Sequence, residues 1–316
     1  MAPKLDFSAA TDVPKLTDKV ILVTGGTTGL GKQTILSLIT KQPAHVYFTG
    51  RSQASADQVI SEASSISAST PVDFIQCDLT SLTSVSTAAK KLLSTADRLD
   101  IAMLNAGVMA LPPGVTTEGY EIQFGTNHVG HALLVKLLTP LLESTAHRTG
   151  DVRLVWNTSL GYKGAADYLK GGIQFDKLKT SCSDIAPVMG PWIRYGQSKL
   201  ANLLYARAYA HHHPTITSVS IHPGVADTGL ISSLGFFQRM FVYTTTWNTM
   251  ISTEDCALNQ QWAATAAKGN GKREVVSGKY YEPVGVETVP SGAATNDELA
   301  EKLWEWTQDE LSAYEV

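Results

Sequence analysis

Residues 19–31 read Lys19-Val-Ile-Leu-Val-Thr24-Gly25-Gly26-Thr27-Thr28-Gly29-Leu30-Gly31. A short apolar run closed by glycines reads as a buried strand running into a tight turn. Beyond it, residues 30–40 carry apolar side chains at helical spacing (Leu30, Ile35, Leu38, Ile39), and Pro43 closes the segment. The unit is therefore strand, glycine turn, helix. The same alternation continues outward. Strands are predicted at 45–49, 72–76, 99–104, 153–156 and 216–221. Helices fall between them: a small, polar one at 54–68 and one at 82–93 with Val85, Ala88, Ala89 and Leu92 inward. A long helical segment at 118–144, bent near Pro140, comes next, and then one at 193–211 with Leu200, Leu203, Leu204 and Ala208 on one face. Further on, 254–268 reads as helix, 278–282 as strand and 296–314 as a last helix, with Trp304 and Trp306 packing it onto the body. Strands alternating with helices imply parallel βαβ units. With no repeat, linker or composition break, the expectation is one α/β domain over 1–316 built on a Rossmann-like, doubly wound parallel sheet.

Composition narrows the function. The chain has 316 residues, 43% apolar and 17% charged, with a net charge of −4. A negative chain with no Lys/Arg run is a poor partner for nucleic acid. Cys77, Cys182 and Cys256 are odd in number and far apart, so neither a disulfide framework nor a metal site is expected. The first 18 residues include Lys4, Asp6, Asp12, Lys15 and Asp18 around no apolar core. Neither a signal peptide nor a spanning helix is expected, and residence by default is cytoplasmic.

The turn itself suggests a ligand. Glycines permit close backbone approach, and a helix start offers free N–H groups to a pyrophosphate. The spacing is Gly-x3-Gly-x-Gly across Gly25, Gly29 and Gly31. A ligand-free glycine turn is the bland alternative. In dinucleotide-binding folds a carboxylate about 20 residues past the last glycine holds the ribose 2′-hydroxyl. Here Gly50-Arg51-Ser52 stands in that place. A guanidinium suits a 2′-phosphate, which favours NADP(H) over NAD(H). A solvated loop charge is the rival reading of Arg51.

From this point an ordered series of motifs resembles the short-chain dehydrogenase/reductase family. Gly25, Thr27, Thr28, Gly29, Leu30 and Gly31 look like its cofactor turn, and Asp78 with Leu79 matches the element that caps the adenine. Asn105-Ala106-Gly107 matches its Asn-Ala-Gly element, with Ala106 and Gly107 following the fourth strand. Asn127 matches the active-site asparagine, Ser159 the serine after the fifth strand, and Tyr195-x3-Lys199 the tyrosine–lysine pair. His222-Pro223-Gly224-Val225, running on to Thr228, matches the loop that meets the nicotinamide. The segments around Asn127 and Tyr195 are most similar to the retinol dehydrogenase and WW-domain oxidoreductase branch. The step from Ser159 to Tyr195 is longer than usual for the family, and residues 171–177 are expected to form a loop beside the pocket.

Tyr195 and Lys199 are four apart and share a helix face. A nearby ammonium should lower the tyrosine pKa, letting Tyr195 pass a proton to a carbonyl oxygen as hydride arrives. Ser159 would stabilise the same oxygen. By the resemblance, Lys199 would also hold the nicotinamide ribose, and Asn127 would fix a water joining Lys199 to solvent. His211-His212-His213 reads as a helix end rather than a metal tract, and His128 and His131 as packing beside the cofactor. Cys77 reads as a packing residue, and Cys182 as one that could be exposed in the insertion.

Residues 229–252 are apolar, with Arg239 the one charge. Leu230, Leu234, Phe237 and Phe241 make one helical stripe, and Phe236, Met240, Tyr243 and Trp247 another. A helix apolar on both sides must cover something. A lid over a bulky apolar substrate is favoured over an oligomer interface or a membrane-surface patch. The reading is an NADP(H)-dependent oxidoreductase acting on a carbonyl or secondary alcohol of a hydrophobic metabolite. A cyclase or isomerase on the same fold, and a cofactor sensor that binds a protein, are the rivals.

Overall fold

The computed structural model describes residues 6–186, 188–226, 231, 234–269 and 274–315, without the side chains of Phe236, Phe237 and Phe241. Ten strands are described: β1 (Val20–Val23), β2 (His45–Gly50), β3 (Val72–Gln76), β4 (Ile101–Leu104), β5 (Arg153–Asn157), β6 (Thr217–Ile221), β7 (Val225–Ala226), β8 (Met250–Ile251), β9 (Tyr280–Glu282) and β10 (Val286–Glu287). Nine helices are used below: α1 (Gly29–Ile39), α2 (Gln53–Ile66), α3 (Leu82–Thr95), α4 (Gly130–Thr149), α5 (Tyr162–Tyr168), α6 (Gly190–His212), α7 (Phe236–Thr246), α8 (Thr253–Thr265) and α9 (Asp297–Glu310).

Eight strands form one sheet in the order β10-β9-β6-β5-β4-β1-β2-β3. All its pairings are parallel except that of β10 with β9. The residues of β1, β4, β5 and β6 are buried throughout, because helices cover both faces of the sheet. The edge strand β3 instead alternates in exposure along its length. One apolar layer joins α3, α4, α6 and α9 to the sheet through residues such as Leu92, Leu133, Leu204 and Leu303. The other joins α1, α2 and α8 through Ile35, Val59 and Trp262. Chain order reverses between β1 and β4. A doubly wound sheet opens a crevice there, beyond the carboxyl ends of its strands.

One predicted helix differs in form. Instead of a continuous run over 118–144, a short turn at Ile122–Phe124 passes into a π-helical turn at Gly125–Val129, and only then into α4. Gly130 N–H accordingly reaches back to Gly125 O. Pro140 lies inside α4, which runs on to Thr149. Glu121 starts the segment, its Oε2 accepting from Gln123 N–H at 3.0 Å and Phe124 N–H at 2.7 Å.

The last helix fastens onto the body as its tryptophans suggest. Trp304 stacks on Tyr205 and His212, at 5.1 and 4.3 Å between ring centroids, and Trp306 meets the edges of Tyr120 and Phe124. His128, on the π turn, sits 3.0 Å from Thr307 Oγ1 of α9. His212 and His213 pair with Glu301 and Glu143, each at 2.8 Å. No group of metal-binding side chains occurs among the described residues, and none of their helices is long and apolar enough to cross a membrane. Leu303 is wholly buried beneath α9. Leu303→Ala is expected to destabilise the protein by about 2–5 kcal/mol through the cavity it leaves. The denaturant midpoint of the variant against the parent checks this.

Candidate active site

The glycine turn leaves β1 at the point where chain order reverses. Asn105, at the end of β4, donates from Nδ2 to Thr24 O at 2.9 Å, and Ala106 N–H donates to Thr24 Oγ1 at 3.0 Å. The two strand ends are thus bonded across the crevice. Asn157, at the end of β5, extends the link, donating to Asn105 Oδ1 at 3.2 Å and to Gln260 Oε1 of α8 at 2.8 Å. Gln260 in turn donates to Thr34 Oγ1 of α1. The sequence offered no signal for Asn157 or Gln260, whose partners lie far away along the chain.

The turn fits a pyrophosphate on two counts. Thr28 caps α1 without a side-chain hydrogen bond, and the first turn of α1 carries no acidic residue. By contrast α2, α3, α8 and α9 are capped by the side chains of Ser52, Ser81, Ser252 and Asn296. The N–H groups that open α1 are therefore left for a ligand. Gly31, moreover, packs so closely on the turn that a Cβ there would lie 2.4 Å from Gly25 O and 2.7 Å from Asn105 Nδ2. Gly25, Thr27, Gly29 and Leu30 are half-buried around it, and Thr28 is exposed.

The four predicted catalytic residues come together beside this crevice. Asn127 lies on the π turn. Its Nδ2 donates to Val108 O and Ser198 Oγ, both at 2.9 Å, while its Oδ1 accepts from Val108 N–H at 2.8 Å. Both amide hydrogens are thereby engaged by the protein. Asn127 thus pins the chain after β4 to α6 through its side chain. Gly107 sits against Asn127 and Lys199. Lys199 Nζ donates to Asn157 O at 3.0 Å and lies 5.9 Å from the centre of the Tyr195 ring. Thr158, at the end of β5, donates to Lys199 O at 2.6 Å and seats α6 on the sheet. Gly196 lets α6 close onto the segment after Ser159, since a Cβ there would lie 2.4 Å from Gly161 O. Ser159 and Tyr195 are consequently within hydrogen-bonding reach.

Electrostatics corrects one expectation. Tyr195 is not lowered by its lysine. Burial pushes its hydroxyl above the ordinary tyrosine value, and the hydrogen bond with Ser159 acts the other way. Burial also pushes Lys199 down to about 8. Taking both groups out of water penalises both charged forms, so the neutral pair gains at the expense of the ammonium–phenolate pair.

The remaining predicted positions are distributed as follows. Arg51 is exposed just beyond β2, beside Gly50, whose Cα packs on Thr27. Asp78 is half-buried and accepts through Oδ1 from both the N–H and the hydroxyl of Thr80, at 3.0 and 2.8 Å. Leu79 is buried against Gly130. Pro223, Gly224 and Val225 follow β6, and β7 pairs with β8. Thr228 lies outside the described residues, as do Leu230 and the side chains of Phe236, Phe237 and Phe241.

Two further expectations are corrected. Cys182 is buried, not exposed; it packs with Leu169, Ile185 and Ile193 in a small cluster of the insertion's own, and burial raises its thiol pKa. Residues 171–177 do not flank Tyr195. Gln174 N–H donates to Gln197 Oε1 at 2.9 Å, and Gly172 packs on Leu200 and Leu299, which places this loop between α6 and α9. Among the described residues of the apolar segment, Phe236–Thr246 forms a helix. Ile231, Leu234 and Val242 are buried against Ala110, whereas Met240 and Trp247 stay 49% and 76% exposed.

A parallel sheet with a glycine turn at its switch point, and a serine, tyrosine and lysine gathered beside it, defines a nicotinamide-dependent oxidoreductase of the doubly wound class. The short chain dehydrogenase family profile matches residues 19–157. Short-chain dehydrogenase/reductase drtF of Aspergillus calidoustus is 32% identical, covering 100% of this chain and 99% of that protein. Human retinol dehydrogenase 13 is 31% identical over 90% of this chain and 82% of its own length. A crystal structure of a putative uncharacterized protein from Mycobacterium paratuberculosis has the same fold, with a TM-score of 0.68 at 24% identity over 98% of both chains. The chain belongs to the short-chain dehydrogenase/reductase family, in its retinol dehydrogenase-like branch.

Because no methyl group fits at Gly31, Gly31→Ala is expected to weaken binding of NADPH or NADH by about a hundredfold or more while leaving the far-ultraviolet circular dichroism unchanged. Fluorescence titration of the variant measures it.

Proposed function

We propose that the protein is an NADP(H)-dependent reductase of a carbonyl group on a hydrophobic metabolite, reversible toward the secondary alcohol. The observation that carries this is the convergence of Ser159, Tyr195, Lys199 and Asn127 beside the uncapped start of α1. When bound, the nicotinamide supplies the hydride to the carbonyl carbon. Tyr195 gives its phenolic proton to the carbonyl oxygen, which completes the alcohol. Ser159 donates to the same oxygen and lowers the energy of the charge that develops there. Lys199 would hold the ribose hydroxyls of the bound cofactor. Asn127 keeps the Val108 backbone and α6 in register.

Arg51 supports the NADP(H) preference, since no carboxylate stands at the end of β2 and Arg51 is exposed there. Apolar Ala110, Val242 and Ile231, with Met109, Trp192 and Tyr243 packed around them, favour a hydrophobic substrate under a lid formed by α7. The physiological direction with NADPH is reduction.

Titration of the purified protein with NADPH and NADH tests the reading. NADPH is expected to bind about tenfold or more tightly than NADH, and Arg51→Ala to remove that preference without changing NADH affinity. Preference for NADH would overturn the role of Arg51, and binding of neither would overturn the oxidoreductase reading. Ketones and aldehydes of increasing apolar size, screened for NADPH consumption, then identify the substrate class. On any that turns over, Tyr195→Phe is expected to lower kcat by about 10²–10⁴-fold with NADPH affinity retained. Unchanged turnover would refute the assignment of the proton donor.

A further inference from the structure

His131 lies one helical turn beyond Asn127, in the first turn of α4, and is completely buried. Its two ring nitrogens face different parts of the site. Nδ1 lies 2.9 Å from Asn127 O, and Nε2 lies 2.8 Å from Thr24 Oγ1. A carbonyl oxygen only accepts, so Nδ1 must carry the proton. Burial, with the charge of Lys199 adding to it, pushes the imidazole pKa down to about 4, so the ring is neutral and Nε2 bears none. The Thr24 hydroxyl must then donate to Nε2. Its alternative acceptor, Met103 O, is more distant at 3.4 Å. Thr24 Oγ1 meanwhile accepts from Ala106 N–H.

Every donor and acceptor in this chain has one consistent direction. It runs from Ala106 N–H through the Thr24 hydroxyl to His131, and from His131 to the carbonyl of Asn127 within the π turn. We infer that His131, as the neutral Nδ1–H tautomer, is a positioning residue that ties the glycine turn and the Asn-Ala-Gly segment to the turn carrying Asn127. This rests on the reading that a nicotinamide dinucleotide occupies that turn. A side chain of equal volume without the two nitrogens would fill the space but leave the Thr24 hydroxyl, the Asn127 carbonyl and their relative placement unfixed.

The tautomer is read first, on cofactor-free protein labelled with ¹⁵N-histidine, by long-range ¹H–¹⁵N correlation. The His131 signal is assigned by its loss in His131→Asn. A protonated Nδ1 beside a bare Nε2 is expected, and the Nε2–H tautomer would overturn the inference. NADPH affinity is read next. His131→Asn keeps an amide where Nδ1 stands but cannot reach Thr24, and is expected to raise Kd about fivefold. His131→Gln places an amide oxygen where Nε2 stands and should restore Kd to near the parent value. In a Thr24→Val background, His131→Asn should add nothing further. Additive effects, or no rescue by glutamine, would reduce His131 to packing and overturn the inference. Failure of the parent protein to bind NADPH or NADH would instead refute the cofactor reading, and the tautomer would still decide the bond chain.

Discussion

The structure depends on the bonding of two strand ends across the sheet's crevice. Thr24 follows β1 and Asn105 follows β4, and the polar groups of both are buried or half-buried where helices from either face leave no water to satisfy them. A buried amide or hydroxyl without a partner costs more than an ordinary hydrogen bond returns. The pairing of Asn105 with Thr24, and of Ala106 with the Thr24 hydroxyl, is thus close to obligatory once the sheet forms. Asn157 and Gln260 carry the same constraint to β5, α8 and α1. The ligand turn is held from behind by a network spanning most of the chain, and the N–H groups that open α1 meet no capping side chain.

The catalytic helix is governed by a different balance. α6 brings Tyr195 and Lys199 into a dry interior, where each loses hydration that would favour its charged form. The protein meets this by giving Lys199 the Asn157 carbonyl and Tyr195 the Ser159 hydroxyl. Both partners sit on β5 or just after it, so one strand end positions both groups. That strand end is itself braced by Thr158 on α6 and by Asn157 on Asn105.

Much of this was legible in the chain. The strand, turn and helix over 19–40 combine an apolar run with glycines at fixed spacing, and neither signal depends on distant residues. Tyr195 and Lys199 were legible because a spacing of four means one helix face wherever that helix packs. The π turn was hidden, since one extra residue in a turn leaves the apolar spacing around 122–138 compatible with a regular helix. The burial of Cys182 depends on the insertion making its own small core with α5 and the start of α6, which periodicity does not report. The tyrosine shift was misjudged for a related reason: charge proximity can be read from spacing, whereas loss of solvent is set by every element that closes over the pair. His131 looked like packing, and only the directions of its two hydrogen bonds distinguish it from that.

The contact between His128 and Thr307, with Trp306 against Phe124, has a bearing on biogenesis. The turn that carries Asn127 is braced by a helix synthesised after every other part of the site. Chains emerge from the ribosome in order and fold as enough sequence becomes available. The sheet can therefore assemble during translation, while the brace behind the π turn is added only once residues 297–310 have cleared the exit tunnel. A nascent chain is in this way kept from holding a finished reaction centre before residues 297–310 are available to pack behind it.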